Sequence, residues 1–127
     1  MFSRRPGVAN TVEIYPLFSA EEIPADSSST SEILDLRGRT GIFSVYYEIT
    51  GSGTLKLEYL ISHDGKNFVN PTGATEIGAD LTASSGTDSD GKDILDFDPE
   101  IAPFMEIKAT ETGKSDAATL TLSIAVQ

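Results

Sequence analysis

Three runs of this chain alternate apolar and polar residues with a period of two. Phe43, Val45, Tyr47 and Ile49 interleave with Ser44, Tyr46, Glu48 and Thr50. Leu55, Leu57, Tyr59 and Ile61 interleave with Lys56, Glu58, Leu60 and Ser62, and Leu120, Leu122, Ile124 and Val126 with Thr119, Thr121, Ser123 and Ala125. Successive side chains of a β-strand point to opposite faces, so each run buries one face and leaves the other for water or a partner. Met105, Ile107 and Ala109 continue the pattern more weakly, as do Leu95 with Phe97, Leu34 with Leu36, and Val12 with Ile14. Helical spacing does not persist. Ser19 with Glu22 imitates a capping box, but Pro24 limits that helix to about one turn. Asp98-Pro99-Glu100 opens at most one more before Pro103.

Turn chemistry separates the runs. Gly51-Ser52-Gly53 lies between two strong strands and predicts a tight antiparallel hairpin. Asp64-Gly65 and Asp90-Gly91 supply the positive φ of primed hairpin turns, and Thr112-Gly113-Lys114-Ser115 joins the last two strands. The polar stretches 24–32 and 82–92 read as loops. The sum is about eight short strands in an all-β, jelly-roll-like antiparallel β-sandwich. The length of 127 residues argues for one domain, residues 12–127, preceded by an extended N-terminal arm, residues 1–11.

Charge narrows the partners. The formal net charge is −11, which repels phosphate backbones and anionic lipids, so no nucleic acid and no membrane partner is expected. Asp80, Asp88, Asp90, Asp93, Asp96, Asp98 and Glu100 concentrate the acid, whereas the arm carries Arg4 and Arg5 and no acid before Glu13. No stretch reaches the roughly 18 apolar residues of a membrane helix. The arginines near the start have no apolar run behind them, so no secretory signal is read there. A cytoplasmic product, or one assembled into a particle inside a cell, is expected.

The residue types leave little catalytic machinery to assign. There is no cysteine, hence no disulfide, thiolate zinc site or cysteine nucleophile. His63 is the single histidine and cannot build a triad or a multi-histidine metal site alone; it reads as an exposed turn residue. Paired carboxylates are plentiful, but glycosidase chemistry also needs a desolvated cleft, and no tryptophan is available as a sugar platform. Asp88-Ser89-Asp90-Gly91-Lys92-Asp93 imitates a calcium loop, yet Pro99 stands where the bidentate glutamate belongs and the glycine is misplaced, so a solvated loop is expected. Gly51-Ser52-Gly53-Thr54 lacks the third glycine and following helix of a phosphate loop. No catalytic residue, metal ligand or cofactor is assigned, and the chain is not expected to be an enzyme. The candidate contact residues are Phe2, Arg4 and Arg5 in the arm, and Tyr46 and Phe104, each out of phase with the buried residues of its strand.

Ser62-His63-Asp64-Gly65-Lys66-Asn67-Phe68, directly after the strand Leu55 to Ile61, resembles a strand and Ser-x-Asp-Gly-x-x-aromatic hairpin found in discoidin-like carbohydrate-binding modules and in small virion proteins of tailed bacteriophages. Pro99 to Thr110, followed by a glycine turn and a last strand, is similar to the C-terminal half of those phage proteins. The resemblance spans roughly residues 31–127. It implies a bacteriophage virion structural protein, preferably a head decoration (cement) protein. Its partners would be the major capsid protein and sister copies, as a homo-oligomer, in virions assembled in the host cytoplasm. A tail or neck component is a variant of that reading. The alternative is a carbohydrate-binding β-sandwich module, presenting Tyr46, Tyr47 and Phe68 to a glycan.

Overall fold

The computed structural model describes residues 12–39, 41 and 43–127, and it is all β. The strands are β1 (Glu13–Ile23), β2 (Ser28–Thr30), β3 (Leu34–Asp35), β4 (Phe43–Gly51), β5 (Leu55–Ser62), β6 (Gly78–Leu81), β7 (Lys92–Phe97), β8 (Phe104–Glu111) and β9 (Ala118–Val126). They form two antiparallel sheets. One has the order β1-β9-β4-β7; the other has β2-β8-β5-β6, with β3 also pairing β8. Because β2 and β3 both lie on β8, they act as one interrupted strand. The pattern is then two four-position sheets, the jelly-roll form of the sandwich.

The alternation in the sequence does what its period requires. Phe43, Val45, Tyr47 and Ile49 of β4, Leu55, Leu57, Tyr59 and Ile61 of β5, and Leu120, Leu122, Ile124 and Val126 of β9 all point into one core. Met105, Ile107 and Ala109 join them from β8, and Phe18 and Ile23 from β1. Phe97 lies between Phe43 and Tyr59, with ring centroids 5.7 and 5.6 Å away. Such offset pairs favour a defined packing beyond the area they bury.

Connectivity departs from the local reading. Gly51-Ser52-Gly53 is no hairpin: β4 and β5 lie in different sheets, so the segment is a corner. The Asp90-Gly91 turn and the 112–115 turn likewise cross between sheets, and among the described links only β2–β3 and β5–β6 stay within one. The physical reason is that a tight glycine turn reverses the chain equally well in either case. Which sheet receives the next strand is decided by β9, which occupies the position beside β4 over nine residue pairs from Phe43↔Val126 to Gly51↔Ala118. Asp64-Gly65 does turn the chain back, to a single antiparallel bridge between Ile61 and Val69.

Three further expectations are corrected. Ser19–Ile23 is not helical but the second half of β1, because β9 offers Glu21, Glu22 and Ile23 a ladder at Leu120, Thr119 and Ala118. Accommodation occurs at a bulge, where Ala20 takes φ 49° and its N–H donates to Thr121 Oγ1 at 3.0 Å. Asp98-Pro99-Glu100 forms no helical turn either. Val12 and Ile14 carry the phase opposite to that of a core strand: they are exposed, while Phe18 and Ile23 supply the β1 core contacts. No helix of the described residues is long and apolar enough to cross a membrane.

Glu111 closes one end of the sandwich. It is buried. Its Oε1 accepts the N–H groups of Asp26 and Lys114, at 2.9 and 2.7 Å. Its Oε2 accepts those of Thr54 and Gly113, at 2.9 and 2.8 Å. The donors come from the β1–β2, β4–β5 and β8–β9 links, so one carboxylate ties three corners together. The Asp26 and Thr54 donors lead in holding its carboxyl at about 2, well below the ordinary range.

Candidate interaction surface

The register of the β1-β9-β4-β7 sheet sets which side chains share its outer face. One row runs Ile14, Ala125, Ser44, Asp96, and the next runs Pro16, Ser123, Tyr46, Ile94. A third runs Thr121, Glu48, Lys92, where Lys92 Nζ lies 3.8 Å from Glu48 Oε1. Most of these side chains are short and uncharged, so the face is low in relief. Its large apolar members are uncovered: Ile94 is 64% exposed and Ile14 66%. Tyr46 stands directly opposite Ile94, and cover by its neighbours, then the Glu48 charge, raises its phenol above the ordinary value.

The other sheet presents a different surface. Its outer rows place Lys56 beside Thr110, Glu58 beside Lys108 and Leu60 beside Glu106. Lys56 and Glu58 pair at 3.6 Å. Charged side chains hold hydration water, which a partner would have to strip. The two faces of the sandwich therefore differ in what contact costs.

The edges are guarded. On the open edge of β7, the Ile94 N–H donates to Asp93 Oδ1 at 2.8 Å and the Lys92 N–H to Asp90 Oδ1 at 3.2 Å. Edge strands whose donors are already engaged, and which carry acids, resist addition of a further strand. β1, on the opposite edge, contains Pro16 and two register shifts. Contact by the face is thus less hindered than contact by the edge.

Tyr46 and Phe104 are both on outer faces, but of different sheets, so the structure does not bring them together. The Phe104 ring is engaged within the chain: Arg37 Cζ is 5.4 Å from its centroid, and a β-carbon at Gly65 would lie 3.5 Å from its ring atoms. Phe2, Arg4 and Arg5 lie outside the described residues. Ile94 is not among the contact residues that the sequence suggests, and Ile14 enters there only in the weak Val12–Ile14 alternation. The out-of-phase position of Ile94 relative to Leu95 and Phe97 carried that signal, and the phase of Ile14 becomes visible only from its pairing with Ala125.

Tyr47 is not available to a glycan; it is 1% exposed and part of the core. His63 is exposed in the turn after β5. The motif around it is a self-contained structural turn. Ser62 Oγ accepts the Gly65 N–H at 2.9 Å and donates to Asp64 Oδ1 at 2.8 Å. Asp64 Oδ1 in turn accepts the N–H groups of Lys66 and Asn67, each at 2.9 Å. The Asn67 and Lys66 donors hold the Asp64 carboxyl far below the usual range. Serine and aspartate are needed here because each satisfies backbone donors that the turn leaves unpaired. In the acidic 88–93 loop, Asp90 and Asp93 accept backbone N–H groups, and no group of three potential ligands among the described residues could hold a metal ion.

A cleft of about 500 Å³ opens at the end of the sandwich between the β3–β4 and β7–β8 links. Leu36, Phe43, Ile101 and Pro103 give it apolar walls, and Asp98, Glu100 and Arg39 also line it. Arg39 is paired with Glu13 at 2.5 Å. Glu100 Oε1 accepts the Tyr59 hydroxyl at 2.7 Å, and burial, then that carboxylate, pushes the phenol up to about 12.

No family model matches the chain, and no curated protein matches it. Solved structures do. A chain in the structure of infectious bursal disease virus Gx strain is similar at 13% identity and TM-score 0.48, over 99% of this chain and 35% of that one. The structure of the Gt strain of the same virus gives 13% identity and TM-score 0.46, over 99% and 37%. This chain thus spans about a third of the length of those it matches.

Proposed function

We propose that this chain is a bacteriophage virion structural protein, a head decoration protein that binds the assembled capsid and reinforces it without catalysis. The observation that carries the reading is the contrast between the two outer faces. The β1-β9-β4-β7 face is flat, weakly charged and leaves Ile14 and Ile94 uncovered, while the β2-β8-β5-β6 face is charged. Covering an aliphatic side chain of that size contributes roughly 1.5–3 kcal/mol. Ile14, Ile94 and the adjacent Tyr46 therefore supply a modest contact per copy, which many copies on one shell multiply through avidity. The jelly roll is a fold that viral capsid domains use among others, so it is compatible with the role but does not by itself assign it. The sequence resemblance at Ser62–Phe68 is shared by both readings; that at Pro99–Thr110 supports the phage assignment over a glycan-binding one, and the burial of Tyr47 weakens the latter.

The test is co-sedimentation with assembled empty heads of the virus that encodes the chain. Binding that survives moderate salt and is lost in Ile94→Asp is expected. Absence of co-sedimentation at low salt removes the proposal.

A further inference from the structure

The outer face of the β1-β9-β4-β7 sheet runs, on its β7 side, into a hollow of about 320 Å³. Tyr46 and Ile94 wall it, and Asp88, Asp90 and Asp93 line it beside a single base, Lys92. Lys92 Nζ lies 3.8 Å from Glu48 Oε1, so that positive charge already has its partner. Asp90 and Asp93 each engage one carboxylate oxygen with a backbone N–H. Asp88 is exposed and makes no side-chain hydrogen bond or ion pair among the described residues. The same holds for Asp96, which stands beside Ser44 one row away on this face. The apolar patch of Ile14, Tyr46 and Ile94 is thus bordered along β7 by negative charge.

Charge selects among the occupants such a face could take. A second copy, stacked face to face about a twofold axis, would bring its own Asp96 and 88–93 loop into the contact, and each chain carries a net −11. Like charges facing one another oppose that association. Anionic lipid headgroups are repelled for the same reason. A basic protein surface is attracted, and the hollow offers it more than charge. The flat guanidinium of an arginine stacks on an aromatic ring, its methylene stem covers an aliphatic neighbour, and its N–H donors match a carboxylate. Tyr46, Ile94 and Asp88 supply those three partners in one place.

We infer that this sheet face docks on a basic surface of its partner, with an arginine of the partner lying along Tyr46 and Ile94 and directed at Asp88. The inference rests on the reading of this face as the one that meets the shell, and adds the chemistry of what it meets. Ile94 supplies contact that salt does not screen, while the acidic border sets orientation and speeds encounter.

Two charge-neutralising variants of the full chain test this. Asp88→Asn with Asp96→Asn removes two charges that border the face. Glu58→Gln with Glu106→Gln removes two from the outer face of the other sheet. In co-sedimentation with assembled empty heads, the first is expected to weaken binding roughly fivefold and the second by less than about twofold. High salt weakens the wild type by a similar factor and the first variant less. Equal effects of the two variants overturn the inference and leave the decoration role standing. A second probe does not depend on heads. A short peptide of arginine and leucine, titrated into isotopically labelled chain, is expected to shift amide signals around Tyr46, Asp88 and Ile94; the same peptide with glutamate in place of arginine is not. Shifts spread over both sheets overturn the inference. Shifts confined to this face, without head binding, keep the docking chemistry and remove the decoration role. A dimer in sedimentation velocity that Ile94→Asp dissociates would make a second copy the occupant and overturn the inference as well.

Discussion

Glu111 accepts the backbone N–H of Thr54 at 2.9 Å although 57 residues separate them along the chain. That bond and its three companions turn one buried carboxylate into the tie between three inter-sheet corners. The arrangement has a pH signature. The carboxyl sits at about 2 in the fold against an ordinary 4.5, so between those values the unfolded chain binds more protons than the native one. The stability it contributes is full above about 4.5 and is lost progressively as the pH falls toward about 2. Glu111→Gln, which places an amide donor among N–H donors, is expected to lower the neutral-pH melting temperature by on the order of 10 °C. It should also flatten this part of the acid dependence. Urea midpoints measured at neutral pH and at pH about 3 check both.

Gly53 is required by space. A β-carbon there would lie 2.7 Å from Ala117 C and from Asp116 O, both backbone atoms that cannot swing aside. Gly53→Ala is therefore expected to force the β4–β5 corner away from the β8–β9 turn, at about 1–3 kcal/mol. Gly73→Ser makes a useful contrast on the steric question, because its surroundings are open, although its φ of +80° adds local strain. Chemical denaturation of both variants separates crowding from backbone conformation.

Leu122 is fully buried at the centre of β9, between Phe18 of β1 and Tyr47 of β4. Leu122→Ala is expected to cost about 2–5 kcal/mol, the range for deleting a core leucine and leaving a cavity. Calorimetric melting gives the comparison.

Ile94 offers the opposite test. It is 64% exposed and touches the solvent side of the sheet, so Ile94→Asp should change stability by no more than about 0.5 kcal/mol. The same variant should lose capsid binding. A melting temperature near wild type together with undiminished co-sedimentation would separate the exposed face from function.

Ser62 is buried and holds the Asp64-Gly65 turn. Ser62→Ala leaves the Gly65 N–H without its acceptor and is expected to cost about 1–2 kcal/mol. Faster amide exchange confined to residues 64–67 would show that the loss is local.

The alternation at Phe43–Ile49, Leu55–Ile61 and Leu120–Val126 determined that the chain is all β and which side chains fill its core. It could do so because strand geometry is local: neighbouring side chains must diverge whatever the partner strand is. The Ser62–Asn67 turn was legible for the same reason, since all its hydrogen bonds close within six residues. Pairing was another matter. Gly51-Ser52-Gly53 is chemically suited to a hairpin or to a corner, and only the insertion of β9 beside β4 decided for the corner. Ser19–Ile23 has a helical start signal that the β9 ladder overrides. Ile14 reads as core until its pairing with Ala125 turns it outward, and Glu111, which no local pattern marks, acquires its role only where three distant corners converge on it. These outcomes depend on which strands become neighbours across long stretches of chain. That is a competition among non-local contacts, and tertiary structure resolves it.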